Sequence, residues 1–121
     1  MTGGLDSYQN VSVGTADAGA LIVQLFDGAL RFLRRAQRAA AAGDHPAVAL
    51  AVNRAHQIIA ELSNVLDHEQ GGEMAEQLDA LYAFALLHLT RGLMDRNPRA
   101  IDQVIAILEP LRDGFDGARA H

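Results

Sequence analysis

The chain has no cysteine, no tryptophan and no lysine, and its 121 residues include only three prolines and six phenylalanines and tyrosines. Without cysteine there is no disulfide scaffold, no thiolate metal site and no thiol nucleophile. So few aromatics, with valine, isoleucine and threonine sparse beside leucine and alanine, argue against a sheet protein and for helices. The ten basic residues, all arginine, are outnumbered by fifteen acidic ones, for a formal net charge of −5. That balance excludes a general nucleic-acid binder, which needs a basic surface for its phosphate contacts. The longest unbroken apolar run, Ala80 to Leu87, falls far short of the roughly 20 residues a membrane span needs. The opening Met-Thr-Gly-Gly-Leu-Asp has neither a charged n-region nor an apolar h-region. No signal peptide is therefore expected, and the cytosol is the expected compartment.

What is present is apolar and helical in period. Half of the residues are hydrophobic, and alanine alone supplies 22 of them; the length suits one domain with a single core. Residues 1–16 carry three glycines and no helical period, and read as an extended or mobile arm with Tyr8 as its only aromatic. From there Ile22, Leu25, Ala29, Phe32, Ala36 and Ala39 step by three and four, widened by Phe26 and Leu33 into a core-facing stripe. Gly28 lies inside this helix, where it costs ~1 kcal/mol against alanine, and so predicts close approach of a neighbour. Arg31, Arg34, Arg35 and Arg38 occupy the opposite side and read as a solvated face.

The remaining punctuation predicts three more helices. Asp17 or Thr15 caps the first, which runs over about 18–42 to Gly43; Asp44 and Pro46 open the second, over about 45–67. Its stripe is Val48, Ala51, Ala55, Ile58, Leu62 and Val65. After Gly71-Gly72 the third covers about 73–96, with a main stripe of Met74, Leu78, Leu81, Tyr82, Ala85, Leu89 and Leu93. Asn97-Pro98 closes it, and the fourth, over about 99–116, carries Ile101, Val104, Ile105, Leu108, Leu111 and Phe115. Pro110 is expected to kink or break this last helix, and Gly114 and Gly117 to fray its end. Short connections make neighbouring helices antiparallel, so the expected fold is all-α: an up-down four-helix bundle over residues 17–121 behind a mobile arm.

The third helix has a second apolar stripe of Ala80, Ala83, Phe84, Leu87 and Met94. A helix apolar on two sides is either central or presents a face to a partner, and the partner reading is favoured here. Catalysis is not indicated. None of the five histidines has the Glu-x-x-His spacing of di-iron bundles, and Asp67, His68 and Glu69 are adjacent residues that do not converge on one ion. There is no phosphate-binding glycine loop, no G-x-S-x-G elbow and no nucleophile–base pair. No cofactor or metal is expected. A phosphotransfer bundle using His56 and a self-associating structural bundle are the alternative classes.

Several segments together are similar to one family. Tyr8-x-Asn10-x-x-Val13-x-Thr15 is followed by Leu21-Ile22-x-x-Leu25-Phe26-Asp27-Gly28-Ala29-x-Arg31-Phe32-Leu33. Later come Ile58-Ile59-x-Glu61-Leu62, Leu66-Asp67-x-Glu69-Gln70-Gly71-Gly72-Glu73, Leu78-x-x-Leu81-Tyr82 and Pro110-Leu111-Arg112. This series resembles the flagellar secretion chaperone FliS family over nearly the whole chain. It departs from the family pattern at Phe26, where tyrosine is usual, at Asp17-Ala18, where Ser-Pro is common, and at Phe115, where tryptophan is frequent. The resemblance implies a non-enzymatic cytosolic chaperone that binds the C-terminal segment of flagellin in apolar grooves. It would prevent premature polymerisation and assist delivery to the flagellar type III export apparatus, with an export-gate component as a second partner. Monomer or weak dimer is the expected state, with no nucleic acid bound and no membrane insertion. Tyr8 is the expected arm anchor, with Ile22, Leu25, Phe26 and Leu33 near the groove. Phe84 and Leu87 join them from the second apolar stripe of the third helix.

Overall fold

The computed structural model describes residues 16–119 and contains four helices: α1 (Ala16–Ala41), α2 (His45–Asn64), α3 (His68–Met94) and α4 (Arg99–Arg119). Tyr8 and the arm lie outside the described residues.

Each boundary has a local cause. Gly43, at φ 72°, ends α1 with its amide bonded to the Ala40 carbonyl (3.0 Å) and the Asp44 amide to that of Ala39 (2.9 Å). This left-handed cap satisfies carbonyls that the helix end leaves free. Asp44 then accepts from the Ala47 amide at 3.1 Å, opening α2 with Pro46 in its first turn. Asp67 repeats the device on the Gln70 amide at 3.0 Å, so α3 starts with one turn at His68, ahead of the glycine pair. Gly72 breaks that turn with φ 51° and ψ −124°, a backbone geometry only glycine adopts readily, and the long part of α3 continues from Glu73. At its far end Arg96 takes the left-handed position (φ 51°), and the Asn97 amide reaches the Gly92 carbonyl at 2.8 Å.

The expected break at Pro110 and the expected fraying at Gly114 and Gly117 are corrected. The helix runs unbroken through Pro110, whose ring is exposed, and continues past Gly114 and Gly117 to Arg119. Tertiary contacts hold these last turns: Arg112 Nε donates to Asp27 Oδ1 of α1 at 2.9 Å, and the Phe115 ring lies 5.7 Å from that of Phe26.

The helices pack as a square. α1 lies against α2 and α4, and α3 closes the square against the same two. Contacts give the direction. Along the α1–α4 seam Asp27, Arg34 and Gln37 meet Arg112, Glu109 and Asp102 in descending order. On α3 and α4, His88 meets Gln103 and Gly92 meets Ala100. Neighbours are antiparallel, as an up-down bundle requires.

The core is filled by Phe26, Leu33, Ile59, Leu62, Tyr82, Leu89, Val104 and Leu108, all essentially inaccessible. Phe26 spans the diagonal, its ring 6.3 Å from Tyr82 of α3. Burial pushes the Tyr82 hydroxyl up to about 12, and the nearby Asp79 carboxylate adds to the shift. Gly28 faces the Ile58 side chain of α2, whose Cδ1 lies 3.3 Å from where a Cβ would stand, so the approach there is to a side chain. Among the described residues no helix is long and apolar enough to cross a membrane.

Candidate partner-binding surface

The core explains one face of α3 and leaves the other bare. Ala75, Leu78, Tyr82, Ala85 and Leu89 point inward. On the outside Leu81, Phe84, Leu87 and Met94 are 39%, 52%, 49% and 77% exposed, with Met74 at 67%. Exposed Ala80 and Ala83 join them. Scattered apolar side chains on a surface are ordinary, but several at helical spacing along one side of a helix make a candidate interaction surface. Leu81 and Met74 were expected among the inward residues, and the structure moves both outward. A signal for this existed, because Met74, Leu81 and Phe84 step by seven and three and so continue the outer stripe. Leu50 of α2, 64% exposed, had no place in the expected stripes at all.

Polar contacts shape the edge of the row. The Phe84 and His88 rings stack with centroids 5.1 Å apart and planes 16° from parallel. The His88 Nε2 is hydrogen-bonded to Gln103 of α4, so Phe84 rests on a side chain that is itself held. Ser63 donates to Asp79 across the α2–α3 seam. Glu73, Glu76, Gln77 and Arg91 interrupt the apolar face.

The expected site residues separate into three groups. Phe84 and Leu87 stand in the open row. Ile22 and Leu25 are half-buried and pack against the core from α1. Phe26 and Leu33 are wholly buried and expose no surface in this closed bundle, because the stripe that puts them on one helix face turns that face toward α3. Tyr8 lies outside the described residues.

A second apolar feature is a cavity of about 160 Å³ at the end of the bundle where α1 meets α2 and α3 meets α4. Val48, Val52, Leu89, Leu93 and Ile101 line it, with Pro98 at the connection. No group of three or more histidine and acidic side chains able to hold a metal ion occurs among the described residues. His56 sits half-buried on α2.

An apolar helix face that no other described helix covers suits a protein that holds another chain. The model of the family described as flagellar protein FliS matches residues 1–121. The chain belongs to the FliS family. It is 34% identical over 117 residues to the flagellar secretion chaperone FliS of Salmonella typhimurium, covering 93% of this chain and 87% of that one. Against the flagellar secretion chaperone FliSB of Pseudomonas aeruginosa it is 32% identical over 117 residues, with 93% of each chain covered. The Vibrio cholerae FliS is 30% identical over 120 residues, covering 96% of this chain and 88% of that one. These relatives are named as chaperones rather than as enzymes. Family membership, rather than the placement of His56, decides between the chaperone and phosphotransfer classes.

Proposed function

We propose that this FliS-family chain is a cytosolic export chaperone that holds the C-terminal region of flagellin. In this role it keeps its client from polymerising early and assists its delivery to the flagellar type III export apparatus, with an export-gate component as a second partner. The observation that carries the reading is the exposed row of Leu81, Phe84, Leu87 and Met94 on a helix whose opposite face is already buried.

An amphipathic segment laid on that row covers apolar area that water now touches, the helix-in-groove mode. Complete burial of a leucine or phenylalanine contributes about 1.5–3 kcal/mol; half-exposed side chains have roughly half of that left to gain. The sum is offset by ordering a segment that was disordered before binding. In this proposal Ile22 and Leu25 border a second groove beside α1, and Phe26 and Leu33 support it from the core. Tyr8 anchors the arm, and no cofactor takes part.

Calorimetric titration of the full chain with a flagellin C-terminal peptide tests this. One-to-one binding with a negative heat-capacity change is expected, weakened by Phe84→Asp and by Leu87→Asp while helicity stays intact. A peptide that does not bind at all overturns the chaperone reading; wild-type binding by both variants overturns the assignment to the α3 row.

A further inference from the structure

The arginines of α1 do not form one uniform solvated face once the neighbouring helices are in place. Arg34 is drawn to the α4 side, where it pairs with Glu109. Asp27, the acidic residue on the same side of α1, is bonded to Arg112. Arg31, Arg35 and Arg38 remain, exposed on one side of α1, and none is paired with a carboxylate among the described residues. The fold adds a fourth. Gly28 meets Ile58 of α2, and the Arg31 guanidinium lies 3.8 Å from where a Gly28 Cβ would stand, so Arg31 sits at the α1–α2 seam. Arg54 is one turn before Ile58 on α2 and is exposed and unpaired as well. One further turn back stands Leu50, 64% exposed, while Arg35 lies over the half-buried Phe32 ring at 5.1 Å.

We infer that this α1–α2 face is a docking surface for a short acidic protein segment with an apolar anchor. Four guanidinium groups without carboxylate partners match carboxylates, which they bind through paired hydrogen bonds. Leu50 and Phe32 offer apolar contact between and beside the charges. The face is short: Arg31 to Arg38 spans about 10 Å of helix, room for a few carboxylates and too little for a phosphate track. The net charge of −5 repels an extended polyanion or an anionic bilayer from the molecule as a whole. A short segment avoids that repulsion because it meets only this face. The surface lies on α1 and α2, away from the apolar row of α3, so its occupation is separable from that of the row.

The test uses the full chain and a labelled peptide of glutamates and aspartates carrying two leucines, followed by fluorescence anisotropy at low salt. Three comparison probes are the same peptide with glutamine and asparagine in place of the acids, phosphatidylglycerol vesicles, and single-stranded DNA. The acidic peptide should bind at least about tenfold more tightly than its amide counterpart and weaken steeply with salt. Arg35→Glu with Arg54→Glu should cost about tenfold or more, whereas Arg91→Glu with Arg99→Glu, an equal change of net charge elsewhere, should cost little. Circular dichroism checks folding, and Arg35→Gln with Arg54→Gln gives a milder second readout in the same direction. Equal binding of the amide peptide, or equal loss in the two reversed pairs, overturns the inference and leaves a solvated face. Tighter binding of vesicles or DNA through these same arginines also overturns it, because the partner is then not a protein segment.

Discussion

Phe26 and Phe84 sit on helices that pack diagonally, and truncating each separates stability from binding. Phe26 is completely buried, with rings at 6.3 Å (Tyr82) and 5.7 Å (Phe115). Phe26→Ala removes the centre of that cluster and leaves a cavity bounded by three helices, which cannot close it without moving apart. Phenylalanine-to-alanine changes in such cores cost about 3–5 kcal/mol, a large share of the roughly 5–15 kcal/mol that holds a domain together. Phe84 is 52% exposed. Phe84→Ala forfeits its contact with His88, roughly 0.5–1 kcal/mol for an aromatic pair, and recovers part of that through the higher helix propensity of alanine. Its net effect on folding should stay within about 1 kcal/mol. Urea unfolding followed by circular dichroism gives both values, with the slopes checked for equality so that midpoints compare stability alone. Calorimetry with the flagellin peptide then reads binding: Phe84→Ala should weaken it, although the protein is nearly as stable as wild type. A loss below about 1.5 kcal/mol for Phe26→Ala, or equal losses for the two, would refute the division between core and contact face.

Two glycines give opposite expectations. At Gly28 a methyl would meet the end of the Ile58 side chain at 3.3 Å and the Arg31 guanidinium at 3.8 Å, both flexible, so Gly28→Ala should stabilise the bundle by a few tenths of a kcal/mol out of the ~1 kcal/mol helix gain. At Gly92 it would fall 2.3 Å from the Ala100 Cβ, and Gly92→Ala should destabilise by about 1–3 kcal/mol through overpacking; thermal melts distinguish the two. Tyr82 predicts an alkaline limit. Burial raises its pKa from the ordinary tyrosine value near 10 to about 12 in the folded state, so its contribution is fully present below pH 10 and lost as pH rises through 12. The linked loss is on the order of 2–3 kcal/mol, and Tyr82→Phe should abolish it in urea titrations over that range.

Much of the architecture was legible because its signals are local. Asp44 bonds an amide three residues away, and Gly43 and Gly72 take backbone angles that glycine adopts most easily, so turns could be read without knowing the neighbours; Asp67, read as the end of the second helix, instead caps the third. The apolar steps of three and four then showed which side of α1 and α2 turns inward. The candidate surface was only half legible. Phe84 and Leu87 stood out because they repeat on the side of α3 that the main stripe leaves over. Leu81 and Met74 were misplaced because they border both stripes, and periodicity alone does not locate the divide. The end of α4 was misread for a related reason: Pro110 and two glycines weaken a helix locally, but Asp27 and Phe26 hold it from another helix.

By itself, the sequence determined four helices, the Gly43–Asp44 boundary between the first two, their antiparallel order and the family to which they belong, since all of these follow from interactions within a few residues or from recurring residue patterns. Only the tertiary structure decided that Phe26 and Leu33, read both as core and as neighbours of a groove, expose no surface, and that Leu81 and Met74 face outward. It also decided that Arg34 and Asp27 have partners on α4, and that Arg54 joins the arginines of α1. Burial and charge pairing are relations between helices, and the spacing of residues along one helix does not contain them.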